Sequence, residues 1–303
     1  MSTYVMSAEE QAYLAQYDIA RFERPSLAVD IVLFAVREAG KKDNYRKLQP
    51  RALKVLMIRR AGYPYKNLWA LPGGFCRPGE DVQETAMREL YEETHVNAAY
   101  LQLAGTFGEE GRDPRGWIIS NTFLSLVNGE DCKPRGGSDA WVAAWFSVEL
   151  TAKEVNRVMH GDDAELVTEY ELKLYREKTG ICPWAVIREY KQFTGYHEKV
   201  RYEIVDSEGL AFDHGKIILH TLLFLRKNVE NDWRVAFDLL PETFTLTRLQ
   251  NTLELVLDDK LLAANFRRKV NDLVIETDRS IEGSGHRPAK LFKRNVEAFC
   301  VKN

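Results

Sequence analysis

The stretch from Gly74 to Val96 reads GFCRPGEDVQETAMRELYEETHV. Asp81 followed by Glu84 three residues on is a capping-box-like start, and the pattern predicts a helix over Val82–Thr94. On that helix Glu89, Glu92 and Glu93 stand at i, i+3 and i+4, so their carboxylates share one face. Three adjacent anions repel one another, and such a face needs cationic partners. Arg88 supplies one charge. A hard divalent cation, Mg2+ or Mn2+, is suited to supply the remainder, because it is held by a few carboxylates together with substrate phosphates. The matching chemistry is attack of an activated water on a metal-bridged pyrophosphate. Taken alone, an acidic triplet of this kind is ordinarily a solvated helix face.

The surroundings decide otherwise. The segment resembles the Nudix box, in which a Gly is followed after five residues by Glu and after seven more by Arg-Glu. The box then closes with an aliphatic residue, any residue, Glu-Glu, any residue, Gly and a second aliphatic. Gly74, Glu80, Arg88, Glu89, Leu90, Glu92, Glu93 and Val96 match, as does the preceding Leu71-Pro72-Gly73. His95 stands where the family has Gly, at the helix exit, where a left-handed residue is easiest without a Cβ. His accepts that conformation at a cost of about 1 kcal/mol. The resemblance implies Glu89 and Glu93 as principal metal ligands and Glu92 as a further ligand or a base. It also implies Arg88 as the residue that orients the carboxylates and Glu80 as support for the helix start.

Outward from the box, Ser26–Val36, Leu53–Arg59, Tyr100–Phe107, Trp117–Val127 and Ala143–Val148 read as strands. Strands mixed with few helices predict an α+β fold, which the resemblance narrows to a mixed-sheet α/β/α Nudix sandwich over residues 1–150. Residues 151–209 read as an insertion or appended hairpin plus helix, with alternating segments around Leu172 and Tyr202 and an apolar helical stretch over Trp184–Phe193. Residues 210–303 begin with an apolar connecting helix over Lys216–Lys227. Helices over Thr247–Leu257 and Leu261–Asn271 follow, then strands over Leu273–Ile281 and Ala289–Lys293 around a Gly-rich loop. That order is the order of a winged helix-turn-helix, whose second helix enters the major groove while the wing reaches the backbone.

The formal net charge of −3 conceals a division. Lys260–Arg294 holds nine Lys/Arg against four Asp/Glu, a local +5, so the rest of the chain carries about −8. Arg267, Arg268 and Lys269 on the second helix, with Arg287 and Lys290 on the wing, are the candidate contacts to double-stranded DNA. Beside the box, GRDPRGW (Gly111–Trp117) offers Arg112 and Arg115 to phosphate or ribose, against an Arg-Asp pair that fixes a turn. Trp69 and Phe75 are candidates to stack on a base, with core packing the alternative for each. Glu109 and Glu110 are candidate bases or extra ligands, and Asp213 is placed to cap the helix that follows it.

RDPRG after a Nudix box is similar to ADP-ribose pyrophosphatase-like Nudix proteins, which implies ADP-ribose or a related nucleotide-sugar as ligand. With Phe212-Asp213-His214, NFRRK (Asn265–Lys269) and GHRPAKLF (Gly285–Phe292), the chain resembles the Nudix-related transcriptional regulators of NAD or sugar metabolism. That resemblance covers Ser26–Val148 and Leu210–Arg294. It implies a homodimer that couples ligand binding to operator DNA. A plain Mg2+-dependent pyrophosphatase whose C-terminal domain only dimerises is the alternative.

The 303 residues accommodate about two domains, and 45% hydrophobic against 29% charged residues excludes a disordered or collagen-like chain. The longest apolar run, Ile217–Leu225, is far short of the ~20 residues a membrane span needs. The N-terminus has neither the basic nor the apolar region of a secretory signal. Four scattered cysteines without a CxxC pair favour reduced thiols and a cytoplasmic location.

Overall fold

The computed structural model of the chain describes residues 4–40, 50–97, 100–130, 132, 134, 140–161, 163–283 and 286–300. Its body is one mixed sheet built from β1 (Ser26–Glu38), β2 (Arg51–Arg60), β3 (Trp69–Ala70), β4 (Gly73–Phe75), β5 (Tyr100–Phe107), β6 (Ile118–Val127), β7 (Ala140–His160), β8 (Asp163–Tyr175), β9 (Trp184–Thr194) and β10 (His197–Glu208). The strand order is β10-β9-β8-β7-β2-β1-β6-β5, with β3 beside β2 and β4 beside β1. β1 and β6 pair in parallel, from Ser26 opposite Ile118 to Ala35 opposite Val127, and the other strand pairings among the described residues are antiparallel apart from an isolated parallel bridge between Trp69 and Leu210.

β1 is buried without interruption from Ala28 to Val36 because both faces of the sheet are covered. Strand periodicity divides its side chains. Val29, Ile31 and Leu33 pack with Ala86 and Leu90 of α2 (Val82–Thr94). Val32, Phe34 and Val36 join the larger core on the opposite face, with Ile217, Leu222 and Leu225 of α3 (His214–Asn231). A short N-terminal helix, α1 (Ala8–Gln16), buries no residue.

The sheet does not stop at residue 150. β7 runs through that position, and β7 to β10 continue the same sheet outward, with a bulge between Ala152 and Glu154. The expected helix over Trp184–Phe193 is strand β9. Its buried residues are Ala185, Ile187 and Glu189, a period of two, and it is paired on both sides by β8 and β10. Ladder bonds to two neighbours satisfy its backbone, so a run of apolar residues that locally suits a helix is held extended.

The C-terminal order matches the sequence reading. α4 (Leu246–Leu257), α5 (Ala263–Val270), a hairpin of β11 (Val274–Gly283) and β12 (His286–Arg294), and α6 (Val296–Cys300) follow α3. Phe244 and Phe292 exchange backbone hydrogen bonds of 2.9 and 2.8 Å, a single bridge that ties the segment before α4 to the wing. Leu249, Leu253, Val256, Phe266 and Val270 belong to the same core cluster as α3 and the sheet. The larger core therefore extends without a break from the sheet into the winged helix. Among the described residues, no helix is long and apolar enough to cross a membrane.

Candidate functional site

The capping box that opens α2 is complete. Asp81 accepts from the Gln83 and Glu84 N–H groups at 2.8 Å each, and Glu84 accepts from the Asp81 N–H at 2.9 Å. The helix ends with His95 in the left-handed region at φ 57°, ψ 27°, so the exit keeps the conformation a Gly would take there instead of being altered by the substitution. Between these ends Arg88 gathers the carboxylates. Its guanidinium donates to Glu80 at 2.6 and 2.8 Å, to Glu89 at 2.6 Å and to the Phe75 carbonyl at 3.2 Å. The bond from Arg88, assisted by the Arg77 N–H and opposed by desolvation, holds the Glu80 carboxyl down to about 2. The same bonds raise the Arg88 pKa above its ordinary value.

Gly73 and Gly74 make the close approach possible. A Cβ on Gly74 would sit 2.5 Å from the Glu89 carboxylate, and one on Gly73 would sit 2.2 Å from the Val29 carbonyl oxygen. The Gly73 N–H donates to Glu93 Oε2 at 2.9 Å. Glu89 and Glu93 thus face the Gly-Gly strand. Glu92 turns outward to Arg77 at 3.0 Å and Arg88 at 3.3 Å. Among the described residues, no three acidic, His or Cys side chains stand at the mutual spacing of a complete metal cage. The donor set still fits a hard divalent cation. Mg2+ needs only one or two carboxylates when phosphate and water oxygens complete its shell, and the glycine cradle leaves the Glu89 carboxylate room.

Next to the box lies a cleft enclosing about 530 Å3 of empty space, part of it open to solvent. Gly73, Gly74, Phe75, Arg112 and Arg115 line it. Five residues that the sequence did not single out for a ligand role, Asp30, Arg60, Ser120, Phe212 and His214, line it as well. Arg112 is nearly buried and bonds Asp213 in bidentate fashion, Nε to Oδ2 at 3.0 Å and Nη2 to Oδ1 at 2.8 Å, with Asp30 3.6 Å away. The Asp213 side chain makes no cap bond to the N–H groups of α3, contrary to expectation, because both of its oxygens bond Arg112, with Lys216 3.3 Å from Oδ2. Desolvation would raise its pKa, but the bonds to Arg112 outweigh it and the Asp213 carboxyl lies below its ordinary value.

His214 is buried beside this pair. Its Nδ1 accepts the Leu71 N–H at 2.8 Å, so that nitrogen carries no proton, and Nε2 lies 3.6 Å from Asp30. Desolvation lowers the His214 pKa despite the neighbouring carboxylates. Asp30 also accepts the Ser120 hydroxyl. Lys216, one turn into α3, pairs with Glu109 at 2.6 Å, which commits Glu109 to an ion pair.

Arg115 pairs with Asp113 at 2.7 Å, while its guanidinium carbon lies 4.9 Å from the Phe75 ring centre and 5.2 Å from that of Phe212. Arg60 reaches the Phe212 ring as well, at 4.9 Å. Burial and the nearby Arg115 lower the Arg60 pKa. Trp69, by contrast, is buried edge-on against Phe146 at 4.7 Å and does not line the cleft, so of its two readings core packing is the one observed. Asp30 was legible as a lone carboxylate within an apolar strand. Phe212 and His214 carried no sequence signal beyond their place in the Phe212-Asp213-His214 run.

In the winged helix, α5 buries Phe266 and Val270 and exposes Arg267, Arg268 and Lys269. Lys269 lies 4.7 Å from the Trp233 ring centre, and Lys290 pairs with Glu276 across the wing. Arg287 belongs to β12, and its side chain lies outside the described residues.

The NUDIX domain family model matches residues 46–168, and that of the NrtR DNA-binding winged helix domain matches residues 236–293. The chain is 29% identical, over 99% of its own length and 94% of the other's, to the ADPR responsive transcriptional repressor NtrR of Acinetobacter baylyi. It is 37% identical over 43% of its length, and 66% of the other's, to the ADP-ribose pyrophosphatase of Methanocaldococcus jannaschii. The crystal structure of Shewanella oneidensis NrtR complexed with a 27mer DNA has the same fold, with a TM-score of 0.53 at 24% identity, covering 89% of this chain and 94% of that one. With its glutamates ordered by Arg88 and its C-terminal helices and wing in place, the chain belongs to the Nudix family and carries an NrtR-type DNA-binding winged helix domain.

Proposed function

We propose that the chain binds ADP-ribose, or a related nucleoside diphosphate derivative, in the cleft beside α2, and that binding controls the grip of its winged helix on operator DNA. It thereby acts as a cytoplasmic transcriptional regulator of NAD or sugar metabolism, working as a homodimer whose two recognition helices meet two half-sites. The observation that carries the reading is the position of Phe212, Asp213 and His214. The segment that lines the cleft also opens α3, and α3 packs against the winged helix. Linkage requires the ligand to bind the DNA-competent and DNA-incompetent arrangements with different affinity, and a helix rooted in the ligand site supplies such a difference. The similarity to an ADPR responsive transcriptional repressor supports a response of DNA binding to ADP-ribose.

Arg112 and Arg115 offer their guanidiniums to the pyrophosphate, and Phe75 offers an apolar face to the base. In the recognition helix, Arg267, Arg268 and Lys269 meet DNA phosphates or base edges, with Arg287 and Lys290 on the wing. A gel-shift titration on the promoter fragment beside the gene, at low salt, tests the whole reading. ADP-ribose is expected to reverse the shift. The absence of any shift, or a shift that ADP-ribose leaves unchanged, overturns it.

Hydrolysis is the second reading, favoured by the retained Glu89 and Glu93 on their glycine cradle. Glu89 and Glu93 would hold Mg2+ or Mn2+, and Glu92, released from Arg77, would serve as a further ligand or as the base for water. The metal would supply charge neutralisation of the pyrophosphate and a more acidic water. Arg88 keeps the carboxylates oriented, and Glu80 keeps Arg88 in place. Glu93→Gln is expected to abolish release of AMP from ADP-ribose. If the unmodified protein leaves ADP-ribose intact with either metal, this reading fails and the regulatory one stands.

A further inference from the structure

Phe212 stands outside the part of the chain that the Nudix family model matches, yet its ring forms one wall of the cleft. Its backbone has φ +51°, a conformation that a bulky residue rarely adopts. Such a residue persists only where its surroundings fix it. On one side, the Trp69 N–H donates to the Gly209 carbonyl at 3.0 Å and the Ala211 N–H to the Trp69 carbonyl at 2.8 Å. On the other, the Arg112–Asp213 pair and the Leu71–His214 bond hold the next two residues. The ring is thus held at the cleft, where it rests on the small cluster of Ile58, Ala70 and Ala211 and lies 4.7 Å from the Tyr65 ring and 5.2 Å, stacked, from that of His214. Its neighbours there are unusual, since two guanidiniums, from Arg60 and Arg115, lie within about 5 Å of it, and Arg115 reaches Phe75 as well. A flat cation shared by two aromatic rings fills a space of the shape a flat base would take. Two like charges at that ring are better accommodated once an anion enters beside them.

We propose that Phe212 is a specificity-determining residue of the cleft: a purine base stacks between Phe212 and Phe75, in the place Arg115 holds here, and Arg115 turns to the ligand's phosphates. This rests on the cleft being a nucleotide site, as proposed above. It adds that the base is read by a residue from the root of α3, so that base occupancy bears on the helix leading to the winged helix domain.

The test uses the full-length protein and titration calorimetry with ADP-ribose and with AMP. Base–aromatic stacking of this kind supports an expected weakening of at least tenfold for both ligands in Phe212→Ala and in Phe212→Leu. Phe212→Trp is expected to stay within threefold of the parent protein. Leucine conserves bulk and apolarity, so a merely structural role for Phe212 would tolerate it. Thermal midpoints of all three variants identify any that fail to fold. Unchanged affinity in Phe212→Leu, or loss in Phe212→Trp with its midpoint intact, overturns the proposal. If the parent protein binds AMP and not ADP-ribose, the ligand named above is wrong while the stack is still decided by the variants. If it binds neither, both proposals fall.

Discussion

At the scale of single residues, the cleft is governed by groups that are buried and committed to partners. His214 shows the consequence for stability. Folded, it is neutral at Nδ1 because the Leu71 N–H occupies that nitrogen, and desolvation depresses its pKa below the ordinary 6.5. The unfolded chain therefore binds a proton as pH falls through about 6.5, while the folded chain does not. Stability from this group is present above that pH and declines as pH falls toward the depressed folded value. The decline is at most about 1.4 kcal/mol per pH unit. Thermal midpoints measured from pH 7.5 to 5 are expected to fall in the parent protein and to fall less steeply in His214→Gln. Equal slopes would show that His214 does not titrate differently in the two states. The residue scale is also where the sequence was least legible. Asp213 sits in the right place to cap a helix, and only the fold reveals that Arg112, 101 positions earlier, claims both of its oxygens. Helical periodicity puts Glu89, Glu92 and Glu93 on one face, but their role and that of Arg88 beside them is implied only by the resemblance to the Nudix box.

At the scale of elements, local signals were read well wherever the element is stabilised locally. α2 has its capping box at one end and a left-handed residue at the other, both encoded within a few positions. β9 departs from the helix its own window suggests because its conformation is set by β8 and β10, partners that no short window contains. The exit of α2 offers a direct test of local coding. His95 has φ 57°, where a residue with a Cβ is strained by about 1 kcal/mol and glycine is not. Its ring contact with Tyr91, at 5.7 Å on an exposed surface, offsets little of that. His95→Gly is expected to stabilise the protein by roughly 0.5–1 kcal/mol in urea unfolding. A loss of stability would mean that the imidazole makes a contribution beyond the strain it carries.

At the scale of the whole molecule, the acidic body and the basic C-terminal segment are distinct in charge but not in core. The cluster that begins on β1 with Val32 and Phe34 continues through α3 to Leu249, Leu253 and Phe266 of the winged helix. Polar ties run the same way. Arg226 of α3 donates to the Val256 carbonyl at the end of α4 at 3.1 Å, and Glu130 pairs with Arg51 of the sheet and Arg248 of α4. The cleft at one end of α3 and the winged helix packed on its flank are joined by a shared apolar core and these polar ties. Unfolding should then be cooperative across both units, because neither can lose α3 and keep its own core covered. Leu222, fully buried in the middle of α3, is the residue to probe. Leu222→Ala removes buried methyl groups and leaves a cavity, at an expected cost of about 2–5 kcal/mol. Far-UV circular dichroism, which reports the entire chain, and the fluorescence of Trp233, followed in a variant with the other tryptophans replaced by phenylalanine, should shift together by the same number of degrees. Two separated transitions, with only one of them moved by Leu222→Ala, would mean that the sheet and the winged helix hold their cores independently, and that α3 cannot carry a ligand signal between them.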